Sequence, residues 1–218
     1  MQVCEIFPSI DGEVNFFGQG VRTVFIRLQG CNLRCRYCDT PKTQEHNQGL
    51  FLDTNRVLDT VLSLGIRKVT ITGGEPLIQA DLVHELLCEL RKRGIVSSLE
   101  TNGSFPIPAP MKHLVDSWVM DYKLPSSGME EKMCLENFKD LSPTDWVKFV
   151  CCDVADFLRS LHVQDLLTRL SCGARFAWSA AGIPEGPSLS ASELVKMMSE
   201  YGANGNLNVQ LHKLLNLP

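Results

Sequence analysis

The sequence predicts an α/β fold, a partial, open (β/α) barrel of about six βα units with mostly parallel strands. Short apolar runs alternate along the chain with amphipathic segments, which is typical of strands joined by crossover helices. Six or seven such repeats are too few for a closed barrel of eight. Polar, glycine-rich segments follow the strands, where barrels of this kind carry their chemistry: residues 30–40, 72–76, 100–103 and 121–128.

The strands are predicted from short runs of β-branched, aromatic and other apolar residues. Six such runs are evident: residues 21–28, 68–72, 95–100, 117–122, 146–151 and 175–179. Residues 207–211 predict a last short strand near the end of the chain. The runs are separated by segments long enough to hold crossover helices, so the strands are expected to run parallel.

Four helices are predicted between these strands, because apolar side chains recur there every three or four residues. The first spans residues 54–64 with Asp53 as its N-cap, and the second spans residues 81–93. A third follows the fifth strand. The capping box formed by Ser190 and Glu193 opens a fourth helix before the last strand.

Length, charge and composition limit the class of protein. The 218 residues fit a single domain over residues 1–218. The net charge is −4 and no basic run is present, so the electrostatic signature of a nucleic-acid-binding protein is missing. No apolar stretch approaches the ~20 residues of a membrane span, and the N-terminus lacks the basic and apolar regions of a signal peptide. We therefore expect a cytoplasmic protein that binds neither nucleic acid nor membrane.

The nine cysteines indicate a metal site rather than disulfides, because their number is odd and three lie within eight residues. Cys31, Cys35 and Cys38 form a Cys-x3-Cys-x2-Cys pattern in what we call the cysteine loop (residues 30–40). Three thiolates in a short loop can bind an iron–sulfur cluster and leave its fourth iron open. Zinc is the alternative, with a fourth ligand from elsewhere, such as Cys4.

Two motifs together resemble the radical S-adenosylmethionine superfamily. The cysteine loop has an aromatic residue, Tyr37, before its last cysteine, and a Gly-Gly-Glu-Pro segment, residues 73–76, follows the second strand. The resemblance implies a [4Fe–4S] cluster held by the three cysteines, with S-adenosylmethionine bound to its open iron. It further implies reductive cleavage of that cosubstrate, and hydrogen abstraction from the substrate by the 5′-deoxyadenosyl radical.

Longer segments resemble the 7-carboxy-7-deazaguanine synthases: residues 7–13, 25–33, 38–40, 100–103 and 212–218. Residues 125–200 are poorly matched, and Asp11 replaces the glutamine that is usual in this family. The resemblance implies a Mg2+-dependent radical lyase that converts 6-carboxy-5,6,7,8-tetrahydropterin into 7-carboxy-7-deazaguanine for queuosine and other deazapurines. It also implies a homodimer and an electron donor such as flavodoxin or ferredoxin.

The same resemblance assigns the site residues, with no catalytic side chain because the cluster and cosubstrate carry the radical chemistry. Mg2+ is assigned to Thr40. S-adenosylmethionine is assigned to Tyr37, Asp39, Gly73, Gly74, Glu75, Glu100, Asp121, Tyr122, Lys123 and Ser179. The pterin substrate is assigned to Ile10, Asp11, Gly12, Glu13, Arg27, Thr72, His212 and Pro218.

Glu13 and Arg27 have the chemistry needed to bind a pterin that carries a carboxylate. Glu13 can accept from the amino and ring N–H groups, and Arg27 can bind the substrate carboxylate through a charge-assisted hydrogen bond. For Pro218 the expectation is that a terminal carboxylate folds back onto the substrate. The alternative for Glu13 and Arg27 is that they form an ion pair with one another.

Two other functions share part of these features. An activating enzyme that forms a glycyl radical on a partner protein would have the same cysteine loop and a small open barrel. It would need a protein-sized cleft and no substrate contacts from Glu13 or Arg27. A non-catalytic iron–sulfur electron carrier would leave residues 73–76 without a role.

Overall fold

One mixed sheet organises residues 1–217, the part of the chain that the computed structural model describes. Its strands are β1 (Gln2–Ile10), β2 (Arg22–Leu28), β3 (Leu50–Phe51), β4 (Lys68–Gly73), β5 (Val96–Thr101), β6 (Ser117–Tyr122), β7 (Trp146–Cys151), β8 (Arg175–Ala180) and β9 (Asn206–Leu207). Their order is β3-β1-β2-β4-β5-β6-β7-β8-β9. β1 is antiparallel to β2 and β3, and all later neighbours are parallel. The linear order leaves the barrel open, which confirms the predicted fold class.

The helices are α1 (Thr54–Ser63), α2 (Ala80–Lys92), α3 (Leu135–Lys139), α4 (Val154–Arg169), α5 (Ala191–Tyr201) and α6 (Leu211–Leu214). The predicted N-cap is confirmed, since the Asp53 carboxylate accepts a hydrogen bond from the Arg56 N–H at 2.8 Å. The capping box of Ser190 and Glu193 is confirmed as well. Within residues 1–217, no helix has both the length and the apolar character needed to cross a membrane.

Alternation along the strands separates a packed face from a cavity-facing one. On β2, Val24, Ile26 and Leu28 are fully buried in the core formed with the helices. Phe25 and Arg27, which lie between them, face the interior of the open barrel. This alternation explains why each parallel strand contributes polar residues to the interior without disturbing its apolar face.

The segment between β1 and β2 fills one end of that interior. Val14 packs against Val119, Trp146 and Ala177, which all face inward from their strands. The Val14 N–H donates to Asn208 Oδ1 at 2.8 Å, which fixes the segment against the far edge of the sheet. The interior is therefore open toward the carboxyl ends of the parallel strands.

The sequence prediction of the sheet was incomplete at its start and wrong at its end. It left out β1, the first strand along the chain, because its mixed residues show little alternation, and it left out the two-residue β3. The predicted strand over residues 207–211 is reduced to Asn206–Leu207, and Leu211 begins α6. The Asn208 side chain explains the early end of β9, because its amide donates to Ser179 Oγ at 2.6 Å while its oxygen accepts from Val14.

Candidate active site

A cavity of about 450 Å³ lies at the carboxyl ends of the parallel strands, a volume suited to a small molecule. Most residues predicted for the site line it. These are Gly12, Glu13, Arg27, Cys31, Cys35, Tyr37, Cys38, Asp39, Thr40, Thr72, Gly73, Gly74, Glu100, Asp121, Lys123, Ser179 and His212. Residues far apart in the sequence thus meet in one place, as expected at the strand ends of a partial barrel.

The cysteine loop forms one wall of the cavity. Its backbone is fixed by hydrogen bonds, including those from the Gly30 N–H to the Thr43 carbonyl at 2.8 Å and from the Cys38 N–H to the Cys35 carbonyl at 3.2 Å. The thiols of Cys31, Cys35 and Cys38 are free and partly buried. Burial raises the pKa of the Cys31 and Cys35 thiols, so a bound metal would be needed to favour their thiolate forms.

The three thiols lie in one wall of the cavity, beside an amide that donates to one of them. Within residues 1–217, no three Cys, His, Asp or Glu side chains converge on a point that one metal ion would occupy. On a cubane cluster, each of the three thiolates would bind a separate iron. The Asn102 amide also donates to Cys31 Sγ at 3.9 Å, and hydrogen bonds of this kind are usual around cluster sulfurs.

The glycines of the Gly-Gly-Glu-Pro motif allow two loops to touch. A Cβ atom on Gly74 would lie 2.1 Å from the Gly30 carbonyl oxygen, and one on Gly73, whose φ is +136°, would lie 2.2 Å from the Leu28 carbonyl oxygen. The Glu75 N–H donates to the same Gly30 oxygen at 2.8 Å. The motif therefore packs directly against the start of the cysteine loop, which holds both parts of the site in register.

Glu75 braces this motif from behind. Its buried carboxylate accepts hydrogen bonds from the Leu77 N–H at 2.9 Å, the Thr101 hydroxyl at 2.8 Å and the Asn102 N–H at 2.7 Å. Burial raises its pKa to about 6 despite these donors. Glu75 does not line the cavity, so its side chain joins the ends of β4 and β5 instead of facing a ligand.

Three other predicted residues also lie away from the cavity wall. Ile10 pairs with Arg22 at the end of β1, and the ring of Tyr122 packs against Phe138 on the core side of β6. Asp11 is 2% exposed and does not line the cavity. Pro218, the remaining predicted residue, lies outside the described residues.

Asp11 belongs to a buried ion pair. Its carboxylate lies 2.5 Å from Lys68 Nζ and accepts a hydrogen bond from the Thr70 hydroxyl at 2.6 Å. The Lys68 ammonium is held over the ring of Phe17. Burial lowers the pKa of Lys68, and Asp11 opposes that shift. The Asp11 side chain therefore compensates the buried Lys68 charge at the end of the barrel that the segment between β1 and β2 fills.

Arg27 pairs with Glu5, so the alternative in which it pairs with Glu13 was wrong. Arg27 Nε lies 2.7 Å from Glu5 Oε1, and Lys42 Nζ approaches the same oxygen at 2.9 Å. These two cations lower the pKa of Glu5 in spite of its partial burial. Arg27 also stacks over Phe7 and retains a place in the cavity wall.

Glu13 instead takes part in a network of charges that sequence analysis missed. Lys148, in the middle of β7, forms ion pairs with Glu13 and, at 3.2 Å, with Asp121 Oδ1. Asp121 Oδ2 lies 2.5 Å from Lys123 Nζ. The signal that could have revealed Lys148 is a single cation at an inward position of an otherwise apolar strand.

The segment around α6 closes over the same residues. Gln210 donates from Nε2 to Glu13 Oε1 at 2.7 Å, and the Leu211 N–H donates to the Gly12 carbonyl at 3.1 Å. Lys213 Nζ lies 2.7 Å from Asp39 Oδ2 in the cysteine loop. Gln210 and Lys213 are further cavity residues that sequence analysis did not identify.

Glu100 faces the cavity beside Thr72. Its Oε2 accepts a hydrogen bond from the Thr72 hydroxyl at 2.6 Å. Burial and the nearby Glu13 carboxylate raise the pKa of Glu100 to about 7, although Lys148 and Thr72 act in the opposite direction. This carboxyl group is therefore able to hold or release a proton near neutral pH.

The raised pKa of Glu100 predicts a pH-dependent gain in stability for Glu100→Gln. Between pH 4.5 and 7 the folded protein keeps a proton on Glu100 that the unfolded chain releases. The free energy of unfolding of the unmutated protein therefore falls as the pH rises over that range. Glutamine removes this titration and keeps an oxygen acceptor for Thr72. We expect the variant to melt about 5 °C higher than the unmutated protein at about pH 8 and at the same temperature near pH 5. A difference that does not vary with pH would contradict the assignment.

Comparisons with known proteins agree with the geometry. A family model described as the Radical SAM superfamily matches residues 25–124. The chain is 34% identical to a 7-carboxy-7-deazaguanine synthase of Clostridium acetobutylicum, over 98% of this chain and 95% of the relative. It is 37% identical to a synthase of the same name from Pyrobaculum aerophilum, over 72% of this chain and 69% of the relative.

A solved structure has the same fold. The crystal structure of QueE from Escherichia coli matches with a TM-score of 0.68 and 22% sequence identity, over 94% of this chain and 92% of the other. At this level of identity the match concerns the fold, and it confirms the open partial barrel.

Proposed function

The chain belongs to the 7-carboxy-7-deazaguanine synthase family of the radical S-adenosylmethionine superfamily, and we propose that it converts 6-carboxy-5,6,7,8-tetrahydropterin into 7-carboxy-7-deazaguanine. Membership in the superfamily implies a [4Fe–4S] cluster and S-adenosylmethionine. The observation that carries the proposal is that the cysteine loop and the polar groups of Glu13, Arg27 and Thr72 line the same small cavity.

In this proposal the cysteine loop binds the cluster, and residues at the strand ends bind the cosubstrate. Cys31, Cys35 and Cys38 would bind the cluster, which when bound would supply the electron that cleaves a carbon–sulfur bond of S-adenosylmethionine, giving methionine and the 5′-deoxyadenosyl radical. The backbone of Gly74 and the Asp121–Lys123 pair face the cosubstrate in this proposal. Tyr37 and the apolar residues that line the cavity would keep water away from the radical.

The substrate occupies the other side of the cavity. Glu13 presents a carboxylate to the amino and ring N–H groups of the pterin, and Thr72, whose hydroxyl donates to Glu100, adds a second polar group on this side. Arg27 attracts the substrate carboxylate, with Glu5 and Phe7 fixing the direction of its guanidinium group. A flat heterocycle with donors on one edge and an anion on the other would be oriented by these groups.

Mg2+ is part of the proposal, with Thr40 as its protein ligand. The Thr40 hydroxyl lies at the cavity wall and donates to Asp39 Oδ1 at 3.0 Å. A hard cation that takes most of its oxygens from water and substrate suits a single hydroxyl ligand. There Mg2+ would neutralise the substrate carboxylate. We further propose a homodimer and a flavodoxin or ferredoxin as electron donor.

The two alternative functions have less support. A glycyl-radical activating enzyme must admit a loop of a partner protein, whereas this cavity is of small-molecule size and is crossed by the segment that contains Gln210 and Lys213. An electron carrier has no use for a polar cavity beside its cluster. The full-length relatives carry the synthase name.

One anaerobic assay tests the proposal. We expect reconstituted protein with reductant, S-adenosylmethionine, Mg2+ and carboxytetrahydropterin to form 7-carboxy-7-deazaguanine, and to form less without Mg2+. Mass spectrometry of the products checks this result. Formation of 5′-deoxyadenosine without a deazapurine would reject the substrate but keep the radical chemistry. Failure of cluster-loaded protein to form either would reject both.

A further inference from the structure

Lys148 is a buried cation in the cavity wall. Lys148 is 8% exposed, and on β7 it lies opposite Asp121 of β6 and Ala177 of β8. Burying an ammonium group is costly unless carboxylates pair with it. The position of Lys148 is therefore maintained by its ionic partners.

Three carboxylates surround Lys148. It pairs with Glu13, lies 3.2 Å from Asp121 Oδ1, and is close enough to Glu100 to interact with it electrostatically. Burial alone would lower the pKa of Lys148, but Asp121, Glu13 and Glu100 hold it well above its usual value. The side chain is thus a permanent positive charge among three acids in the cavity wall.

Asp121 and Glu13 would keep different contacts if the Lys148 side chain were removed. Asp121 would keep its ion pair with Lys123 at 2.5 Å. Glu13 would keep the hydrogen bond from the neutral Gln210 amide at 2.7 Å. Loss of the Lys148 charge would therefore expose Glu13 to repulsion from Asp121 and Glu100, with a neutral group as its remaining partner.

We propose that Lys148 is a positioning residue that holds the Glu13 carboxylate in place in the cavity wall, so that Glu13 can accept hydrogen bonds from the donor edge of the pterin. The proposal rests on the proposed function. Lys148 also bridges this substrate side to Asp121 on the cosubstrate side, so a single cation sets the spacing between the two.

The expected effect is a selective loss of substrate affinity. We expect Lys148→Met, which removes the charge at similar length, to raise the KM for carboxytetrahydropterin about 30-fold in the anaerobic assay. The KM for S-adenosylmethionine should rise less than about threefold, because Asp121 keeps Lys123. Lys148→Arg retains a cation and should stay within about fivefold of the unmutated KM for the pterin.

A double-mutant cycle tests whether Lys148 acts through Glu13. Glu13→Gln alone should raise the pterin KM, and adding Lys148→Met to it should change that KM by less than about threefold. Lys92→Met serves as the matched control, because Lys92 is an exposed lysine paired with Glu89 on α2. It should leave both KM values unchanged.

Several results would overturn the proposal. These are an unchanged pterin KM in Lys148→Met, an equal rise in both KM values, or effects of Lys148→Met and Glu13→Gln that multiply. If Lys148→Met does not fold, Lys148→Gln takes its place, with an expected rise of about tenfold in the pterin KM. Failure of the proposed function would appear differently, as absence of deazaguanine formation by the unmutated protein.

Discussion

Replacing Cys35 with alanine should leave a folded protein that holds no stable cluster and forms no detectable 7-carboxy-7-deazaguanine. Cys35 is the middle thiol of the cysteine loop, and two thiolates remain when it is removed. Since the radical chemistry depends on the cluster, we expect product formation to fall at least about a thousandfold, equivalent to about 4 kcal/mol of activation free energy. Iron content and visible absorption of the desalted protein measure the loss of the cluster directly.

Cys88→Ala is the matched control. Cys88 lies on α2, where its sulfur is 3.8 Å from His84 Nε2, and it does not line the cavity. This variant should retain iron, absorption and activity. A Cys35→Ala protein with the iron content of the unmutated protein would show that the cysteine loop is not the cluster site.

The second large effect concerns stability. We expect Asp11→Asn to lower the free energy of unfolding by about 3–5 kcal/mol, because it leaves the buried Lys68 ammonium without its carboxylate partner. The hydrogen bond from the Thr70 hydroxyl can persist to an amide oxygen, so the loss reports mainly on the charge. Denaturant unfolding of the cluster-free protein under identical reducing conditions measures it.

The double variant Asp11→Asn/Lys68→Met separates charge from packing. With the lysine removed, no ammonium remains to be desolvated, so the double variant should regain most of the stability that Asp11→Asn loses. A double variant less stable than Asp11→Asn would contradict the ion-pair explanation. Retention of the pterin KM in any folded Asp11 variant would agree with the absence of this side chain from the cavity lining.

Much of the fold could be predicted from local patterns. The strands β2 and β4 to β8 and the helices α1 and α2 begin and end within one residue of the predicted positions, because apolar periodicity and caps such as Asp53 act over a few neighbouring residues. The strand β1 escaped prediction because its pairing with β2 depends on backbone hydrogen bonds between segments rather than on its own pattern. The short β9 ends where Asn208 binds side chains from elsewhere in the fold.

Contiguous motifs were enough to predict the cysteine loop, the glycine motif beside it and the family to which the chain belongs. Which charges meet depends on the tertiary structure. Glu13 and Lys148 are 135 residues apart, and Glu13 and Gln210 are 197 apart, yet all three meet at the cavity. Alternation along a strand tells which side chains face inward, but the register and curvature of the whole sheet select their partners. For that reason Arg27 pairs with Glu5, Asp11 with Lys68, and the proposed substrate ligand Glu13 with a lysine that no motif contained.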